Sequence, residues 1–593
     1  MSAFAKRVEK LREAMRKNGL DAYLVVSADA HLSEYLCDHY KVKDFLSGFQ
    51  GSVGTLLFTQ KEAYLWADGR YWLQAQKQLE GSGIALQKQD RENTFQNWIK
   101  KNLDKDRILG SDFSVLNLAL KRELDPFCTL KHCDLIAPLW PDRPPLPRVP
   151  IYAHEEEYCA QSAGEKIALV REKMRELGAL NHLISSLDDI AYLTNLRGGD
   201  VEYNPVFLSH LLIEQDRALL FVDGAKVPEN LRARLEGEGI FLAPYDGVLC
   251  ELEKLKDTTL LIEPSKMTAL LVGGLNSSVE LVEEINPSTH LKAIKSAKEI
   301  AHIEGAMIED GVALCRFFAW LEEALARGES VDEVDIDTKV SAFRARGEHY
   351  ISNSFATIAA FKGNGAFPHY KAERGKCLKI EGDGFLLIDS GGQYKNGTTD
   401  ITRVVPVGNL NQEQIRDYTL VLKAHIAISR TIFPKDIAMP LLDAITRAPL
   451  WEEQLDYMHG TGHGVGYFLN VHEGPQVLSY FAPVLEKTRA KEGMLSSIEP
   501  GIYKAGKWGV RLENLVINAR VESPKNTAFG EFLRFKPVTL CPFEPRCIDA
   551  NLLDDKEKAW LNAYHQEVFE KLAPHLQDEP KALEWLRLRT RGI

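Results

Sequence analysis

Three histidines fall within His459-Gly-Thr-Gly-His463-Gly-Val-Gly-Tyr-Phe-Leu-Asn-Val-His472, interleaved with glycines at 460, 462, 464 and 466. Glycine lets backbone pass close to a ligand, so a phosphate loop is the first reading to weigh. The segment lacks a Gly-Lys-Ser/Thr ending, a preceding Rossmann-type strand and a later ribose-binding acid. Imidazoles at this density suit metal binding and acid–base work instead. Four acids belong with them. Asp389 closes the apolar run Phe385-Leu-Leu-Ile388, and Asp400 lies in the returning strand segment. Glu499 precedes a Pro-Gly turn, and Glu513 stands in Gly-Val-Arg511-Leu-Glu513-Asn. Taken singly, each aspartate reads as a turn cap. Brought together by a hairpin, the two repel and shift toward protonation unless a cation lies between them. Asp, Asp, His, Glu and Glu form a hard, oxygen-rich set suited to two divalent ions, and Mn²⁺ fits it better than a cysteine-type zinc site. Such a pair activates a water at neutral pH and polarises a carbonyl. Arg511 and Glu513 are two apart and share one strand face, where an apolar-flanked acid needs a partner.

These residues need a scaffold, and the sequence divides into three parts. Six prolines between Pro138 and Pro150 exclude both helix interior and central strand, so a stiff linker closes the first domain. A second break follows Asn286-Pro287, and Ser296-Ala-Lys-Glu299 is a capping box opening a helix whose apolar face carries Ile300, Ile303, Met307, Leu314 and Phe318. The expected domains are 1–147, 148–295 and 296–593, the last with a C-terminal extension. The two leading segments read as diverged copies. Val8 to Ser27 is a helix, a glycine stop at Gly19 and a strand; Val170 to Ser186 repeats that plan around Gly178. A second helix is expected after each, near Leu32–Leu36 and Ile190–Leu193. This alternation predicts α/β layers. After 296 the pattern changes: Gly384–Asp389 and Thr398–Val405 read as paired strands around Gly-Gly and Asn-Gly turns, part of one long sheet with helices on one side, so α+β. Trp560, Leu561, Tyr564, Val568 and Leu572 return to helical spacing.

Composition narrows the function classes. With 593 residues, 45% hydrophobic and 26% charged, the chain is globular and multi-domain. Acids number 84 against 72 Lys+Arg, a formal charge of -12 that argues against nucleic acid as a general partner. No run approaches the ~18 apolar residues that span a bilayer. Residues 5 to 18 read as an amphipathic helix with Val8, Leu11 and Met15 inward, not as a secretory signal. Nine scattered cysteines with no CxxC fit a reduced, cytoplasmic setting with ordinary buried thiols.

At these motifs the sequence resembles the aminopeptidase P (Xaa-Pro aminopeptidase) family of pita-bread metallopeptidases, in its long, three-domain cytosolic form. The resemblance is carried by Asn364-Gly-Ala-Phe-Pro-His369-Tyr, Ile388-Asp389-Ser-Gly, Gly397-Thr-Thr-Asp400-Ile-Thr-Arg, His459-Gly-Thr-Gly-His463, Asn470-Val-His472-Glu-Gly-Pro, Glu499-Pro-Gly and Val510-Arg-Leu-Glu513-Asn. Phe45 to Ser52, Trp66-Ala-Asp-Gly-Arg70-Tyr and Asn195 to Pro205 extend it through the front half. The resemblance implies α/β N-terminal and middle domains, creatinase/prolidase N-terminal-like, followed by an α+β pita-bread catalytic domain. It implies Asp389, Asp400, His463, Glu499 and Glu513 as ligands of two manganese ions, with Asp400 and Glu513 bridging, and a water between the metals that attacks the Xaa-Pro carbonyl. It implies Glu499 as proton handler, and His369 and His472 as hydrogen-bond partners of substrate and tetrahedral intermediate. His459 would wall the proline pocket, Arg511 would orient Asp389, and Arg70 would reach the substrate. Peptides with proline second, a homodimer and no membrane partner complete the expectation. Lys362 departs from the small or neutral residue of many relatives, at what would be the cleft rim. Prolidase, the Xaa-Pro dipeptidase, shares the ligands but has one leading domain; a metal-free peptide- or histone-binding relative would have replaced them.

Overall fold

The computed structural model describes residues 2–522 and 527–593. Residues up to 155 with Gln161–Ser288 form one unit, and Glu156–Ala160 with Thr289–Ile593 form the other.

The first unit contains two sheets built to one plan. In the first, Ala22–Val25 runs antiparallel to Thr55–Thr59 and parallel to Ile108–Ser111. Ala63–Ala67 and Ala85–Lys88 extend one side, and Thr129–His132 the other. In the second, Asn181–Ile184 takes the central place between antiparallel His210–Ile213 and parallel Thr258–Ile262. Ala218–Phe221 with Ile240–Ala243, and Val279–Glu283, flank it in the same senses. Each central strand follows a helix, Ala3–Lys17 or Ala163–Glu176. Val8, Leu11 and Met15 are buried on the first, Ile167, Val170 and Met174 on the second, as the apolar spacing requires. Repeated strand order and sense support duplication. The two halves join within the unit through the Leu118 amide, which donates to the Met267 carbonyl at 2.8 Å.

Two expectations fail here. No helix forms at 32–36. The Asp29 carboxylate accepts the amides of His31 and Ser33, both at 2.9 Å, and Leu32 takes φ +57°, so a local turn displaces the helix. The helix arrives later, at Val42–Ser47; its counterpart Leu187–Thr194 lies where expected. The cysteines are free, but Cys250 is exposed, and Cys133, Cys159 and Cys377 are only half-buried.

In the second unit the Ser296–Glu299 capping box opens the helix Ala297–Ala326. Phe317, Phe318 and Leu321 of that helix share one core with Leu386, Ile388 and Val404 of the strands and Leu561 and Val568 of the C-terminal helix Asp555–Leu572. The single long sheet does not form. Gly384–Ser390 pairs with Ile358–Phe361 and Ile401–Val407, whereas Gly392–Tyr394 pairs with Tyr350–Asn353 and Gly397–Thr398. The break comes at Gly391, where a Cβ would lie 2.0 Å from the Thr399 carbonyl oxygen, to which Ser354 Oγ donates. A further sheet orders Ile432–Pro434, Phe532–Pro537, Asn514–Arg520, Leu495–Ile498, Gly462–Gly464 and Glu473–Leu478.

Candidate metal centre

The candidate ligands come from different strands and strand ends, and Thr402 ties Asp389 and Glu513 together. Asp389 lies on Gly384–Ser390, opposite Thr402 in the antiparallel register. Asp400 stands just ahead of the strand Ile401–Val407, not inside it. Glu513, between Trp508–Arg511 and Asn514–Arg520, donates its amide to the Thr402 carbonyl at 3.1 Å. Thr402 Oγ1 in turn donates to Glu513 Oε2 at 2.7 Å. His463 is the middle residue of Gly462–Gly464, which pairs with Glu473–Leu478 and Leu495–Ile498. A Cβ at Gly462 would lie 1.9 Å from the Ser497 carbonyl oxygen, and one at Gly464 2.0 Å from that of Glu473. No side chain fits either gap, so both glycines set the strand that carries His463. Glu499 follows Leu495–Ile498 and donates its amide to the Thr461 carbonyl at 2.7 Å.

The side chains converge. One ligand atom each from Asp400, His463 and Glu513 lies within 4.8 Å of the others. His463 Nε2 is 3.5 Å from Asp400 Oδ2 and 3.4 Å from Glu499 Oε1. Its Nδ1 contacts the Gly464 carbonyl oxygen at 2.9 Å. A carbonyl only accepts, so Nδ1 donates to it, and Nε2 is the ring nitrogen that faces the carboxylates.

The electrostatics call for cations. Burial, reinforced by Asp389 and Glu499, raises the Asp400 carboxyl well above the carboxylate range. Burial and Asp400 do the same to Glu513. Glu499 is pushed up to about 7, first by burial, with Arg511 pulling the other way. Asp389 Oδ1 is buried without a hydrogen-bond partner. An orphaned carboxylate oxygen beside three acids that resist ionisation fits hard divalent cations, which neutralise such a set through oxygen ligands.

Arg511 holds the other side of Asp389. Its Nη2 donates to Asp389 Oδ2 at 2.6 Å and its Nε to Thr402 Oγ1 at 3.2 Å. Its Nη1 reaches Tyr503 Oη at 2.9 Å and the Pro368 carbonyl at 3.2 Å. Arg511→Met removes the partner that fixes a candidate ligand, a class of change that costs 10- to 100-fold. We expect kcat/KM to fall by about that factor, checked against metal content per chain; a full-rate variant would contradict the role.

The histidines fall around this cluster. His459 Nε2 lies 2.8 Å from Tyr503 Oη, the same hydroxyl that meets Arg511. His472 meets His463 edge-on, with ring centroids 4.4 Å apart. His369 follows Pro368, whose carbonyl Arg511 holds. Arg70 belongs to the first unit, where Asp68 takes its guanidinium through two hydrogen bonds at 2.9 and 2.8 Å. Lys362 is not near the ligands. Phe361 pairs with Leu386 while Ile358 pairs with Asp389, so Lys362 lies past the far end of that ladder and donates to the Glu381 carbonyl at 3.0 Å. Two residues escaped the sequence reading. Thr402 had a signal, its two-residue spacing from Asp400. Tyr503 had none, because only the pairing of Gly501–Lys504 with Trp508–Arg511 brings it to Arg511.

Family models match four stretches of the chain. Residues 301–518 match metallopeptidase family M24, and 531–593 match the C-terminal region of peptidase M24. Residues 7–136 and 142–299 each match the creatinase/prolidase N-terminal domain, in keeping with the repeated sheets. A probable Xaa-Pro aminopeptidase P of Laccaria bicolor is 39% identical over 601 residues, 98% of this chain and 92% of the relative. The chain belongs to the Xaa-Pro aminopeptidase P family of M24 metallopeptidases. Xaa-Pro aminopeptidase 1 of Dictyostelium discoideum is 37% identical, with 99% of this chain and 96% of that protein covered. The crystal structure of X-prolyl aminopeptidase from Caenorhabditis elegans, described as a cytosolic enzyme with a di-nuclear active site, superposes with a TM-score of 0.94 at 31% identity, both chains fully covered. Xaa-Pro dipeptidase from Bacillus anthracis, at 25% identity and a TM-score of 0.50, covers 65% of this chain. The creatinase-like front modules and the M24 catalytic domain expected from sequence are thus both present, and the chain is a metallopeptidase.

Proposed function

We propose that this metallopeptidase releases the first residue from peptides whose second residue is proline. The observation that carries the reading is the Asp389–Asp400–His463–Glu499–Glu513 cluster, with three of its acids buried and an orphaned Asp389 oxygen, in a chain that aligns end to end with Xaa-Pro aminopeptidases. Two divalent ions held by those five residues would supply an activated water and polarise the scissile carbonyl. We assign them as Mn²⁺. Asp400 and Glu513 would be shared ligands, Asp389 would face one ion, and His463 and Glu499 the other. Glu499, a carboxylate beside His463, would also serve as the proton handler for the attacking water. His369 and His472 would donate to the substrate and to the oxyanion as it forms. His459, fixed by Tyr503, would line the proline pocket. The Xaa-Pro bond has a tertiary amide with no N–H. A peptidase that aligns its substrate through that donor has no handle, so ring shape and carbonyl polarisation must replace it.

Prolidase activity is the alternative, and the prolidase match leaves about a third of the chain uncovered. The homodimer, the cytosolic location and a role for Arg70 are further expectations from the family. Among the described residues, no helix is long and apolar enough to cross a membrane. The deciding experiment compares Xaa-Pro-Yaa tripeptides with Xaa-Pro dipeptides on purified enzyme, before and after chelation and Mn²⁺ return. We expect tripeptide cleavage, its loss on chelation and its recovery with Mn²⁺. Cleavage of the dipeptide alone would establish prolidase, and activity that survives thorough metal removal would exclude the dimetal site.

A further inference from the structure

Glu333 is the first residue of the helix Glu333–Arg344 and is fully buried. No motif marks it in the sequence. A buried carboxylate survives only where donors surround it, and here they all come from one segment. Oε1 accepts the Phe361 amide at 2.7 Å and Asn364 Nδ2 at 2.9 Å. Oε2 accepts Tyr370 Oη at 2.8 Å, the Leu378 amide at 2.8 Å and Asn364 Nδ2 again at 3.1 Å. The residues held run from 361 to 378, and His369 lies inside that stretch.

The segment is gripped at two adjacent points. On one side of His369, the Pro368 carbonyl accepts from Arg511, which also holds Asp389. On the other, the Tyr370 hydroxyl donates to Glu333. Residues 361–378 contain only the short ladder Ile358–Phe361 at their start and the turn Lys362–Ala366. They have no sheet of their own to fix them, so the carboxylate takes the place of secondary structure. Glutamine cannot replace it: one amide oxygen cannot serve both sets of donors, and the NH₂ group would face N–H or O–H.

We infer that Glu333 is a positioning residue for catalysis, fixing the His369 segment beside Arg511 through Tyr370, Asn364 and the backbone at both ends of the segment. This rests on the role proposed above for His369. A precise placement matters because a displacement of about 1 Å at a reacting group costs on the order of 10²-fold.

The test measures kcat and KM on an Xaa-Pro-Yaa tripeptide for Tyr370→Phe and Glu333→Gln, each alone and combined with His369→Ala, with metal content recorded. We expect Glu333→Gln to lower kcat about tenfold or more and Tyr370→Phe about threefold. KM should change less than either, and two metals per chain should be retained. In the His369→Ala background neither change should lower kcat further, since a residue acting through another adds nothing once that other is gone. If Glu333→Gln does not fold, Tyr370→Phe decides alone. A Tyr370→Phe enzyme at full rate, or losses that multiply with His369→Ala, would overturn the inference. A full-rate His369→Ala enzyme would remove the underlying role of His369, and the inference with it; a slow one beside a full-rate Tyr370→Phe removes the inference only.

Discussion

Glu513→Ala is expected to abolish peptidase activity, with kcat/KM falling by about 10⁴-fold or more, as when a group acting as part of one unit is removed. Glu513 is 1% exposed, and its carboxylate lies where Asp400 and His463 converge. As a shared ligand it would serve both ions, so its loss weakens both at once. Asp389 and Glu499 cannot substitute, because each would already be a ligand in its own right, Asp389 through the oxygen that Arg511 does not hold and Glu499 beside His463. The stability effect should have the opposite sign in metal-free protein. Burial first, and then the neighbouring carboxylates, raise both Asp400 and Glu513, so removing one buried carboxyl removes its desolvation cost as well as its repulsion of the others. Without metal, Glu513→Ala should melt no lower than the parent; with metal, the parent should gain stability and the variant should not. A variant that binds two metals and turns over normally would refute the assignment.

The candidate site was legible where its chemistry would force residue type. A dimetal cluster would need acids and imidazole, and the candidate ligands Asp389, Asp400, His463, Glu499 and Glu513 stand at apolar strand ends or between glycines. The repeated front modules were legible for a similar reason: helix, glycine and strand follow one another twice. What stayed hidden depends on pairing across long stretches of chain. Thr402 matters because register sets it opposite Asp389 and a second strand brings Glu513 to its hydroxyl. Tyr503 and Glu333 matter through partners that no local spacing reveals. The helix expected at 32–36 failed for a local reason, since apolar residues there suggested a face while the Asp29 side chain capped a turn.

Metal and protons compete for the same carboxylates, so the stabilising effect of metal should grow with pH. In metal-free protein the folded-state pKa of Glu499 rises from 4.5 to about 7. The folded state then binds more protons than the unfolded state across that interval. Stability without metal therefore falls as pH climbs from 4.5 toward 7 and levels off above. For Glu499 alone the span is about 3 kcal/mol, or roughly 5 °C in melting temperature for a folding unit of about 300 residues. Asp400 and Glu513 are raised as well and push the same way. Metal binding needs the ionised carboxylates, so bound cations convert the repulsion into attraction over the same range. Melting curves at pH 5, 6 and 7.5, with chelator and with Mn²⁺, should show a gap that widens at each step by several degrees in total. A gap that stays constant over that range would mean that the buried carboxylates do not gain their cations at the expense of protons, and the electrostatic account of the site would fail with it.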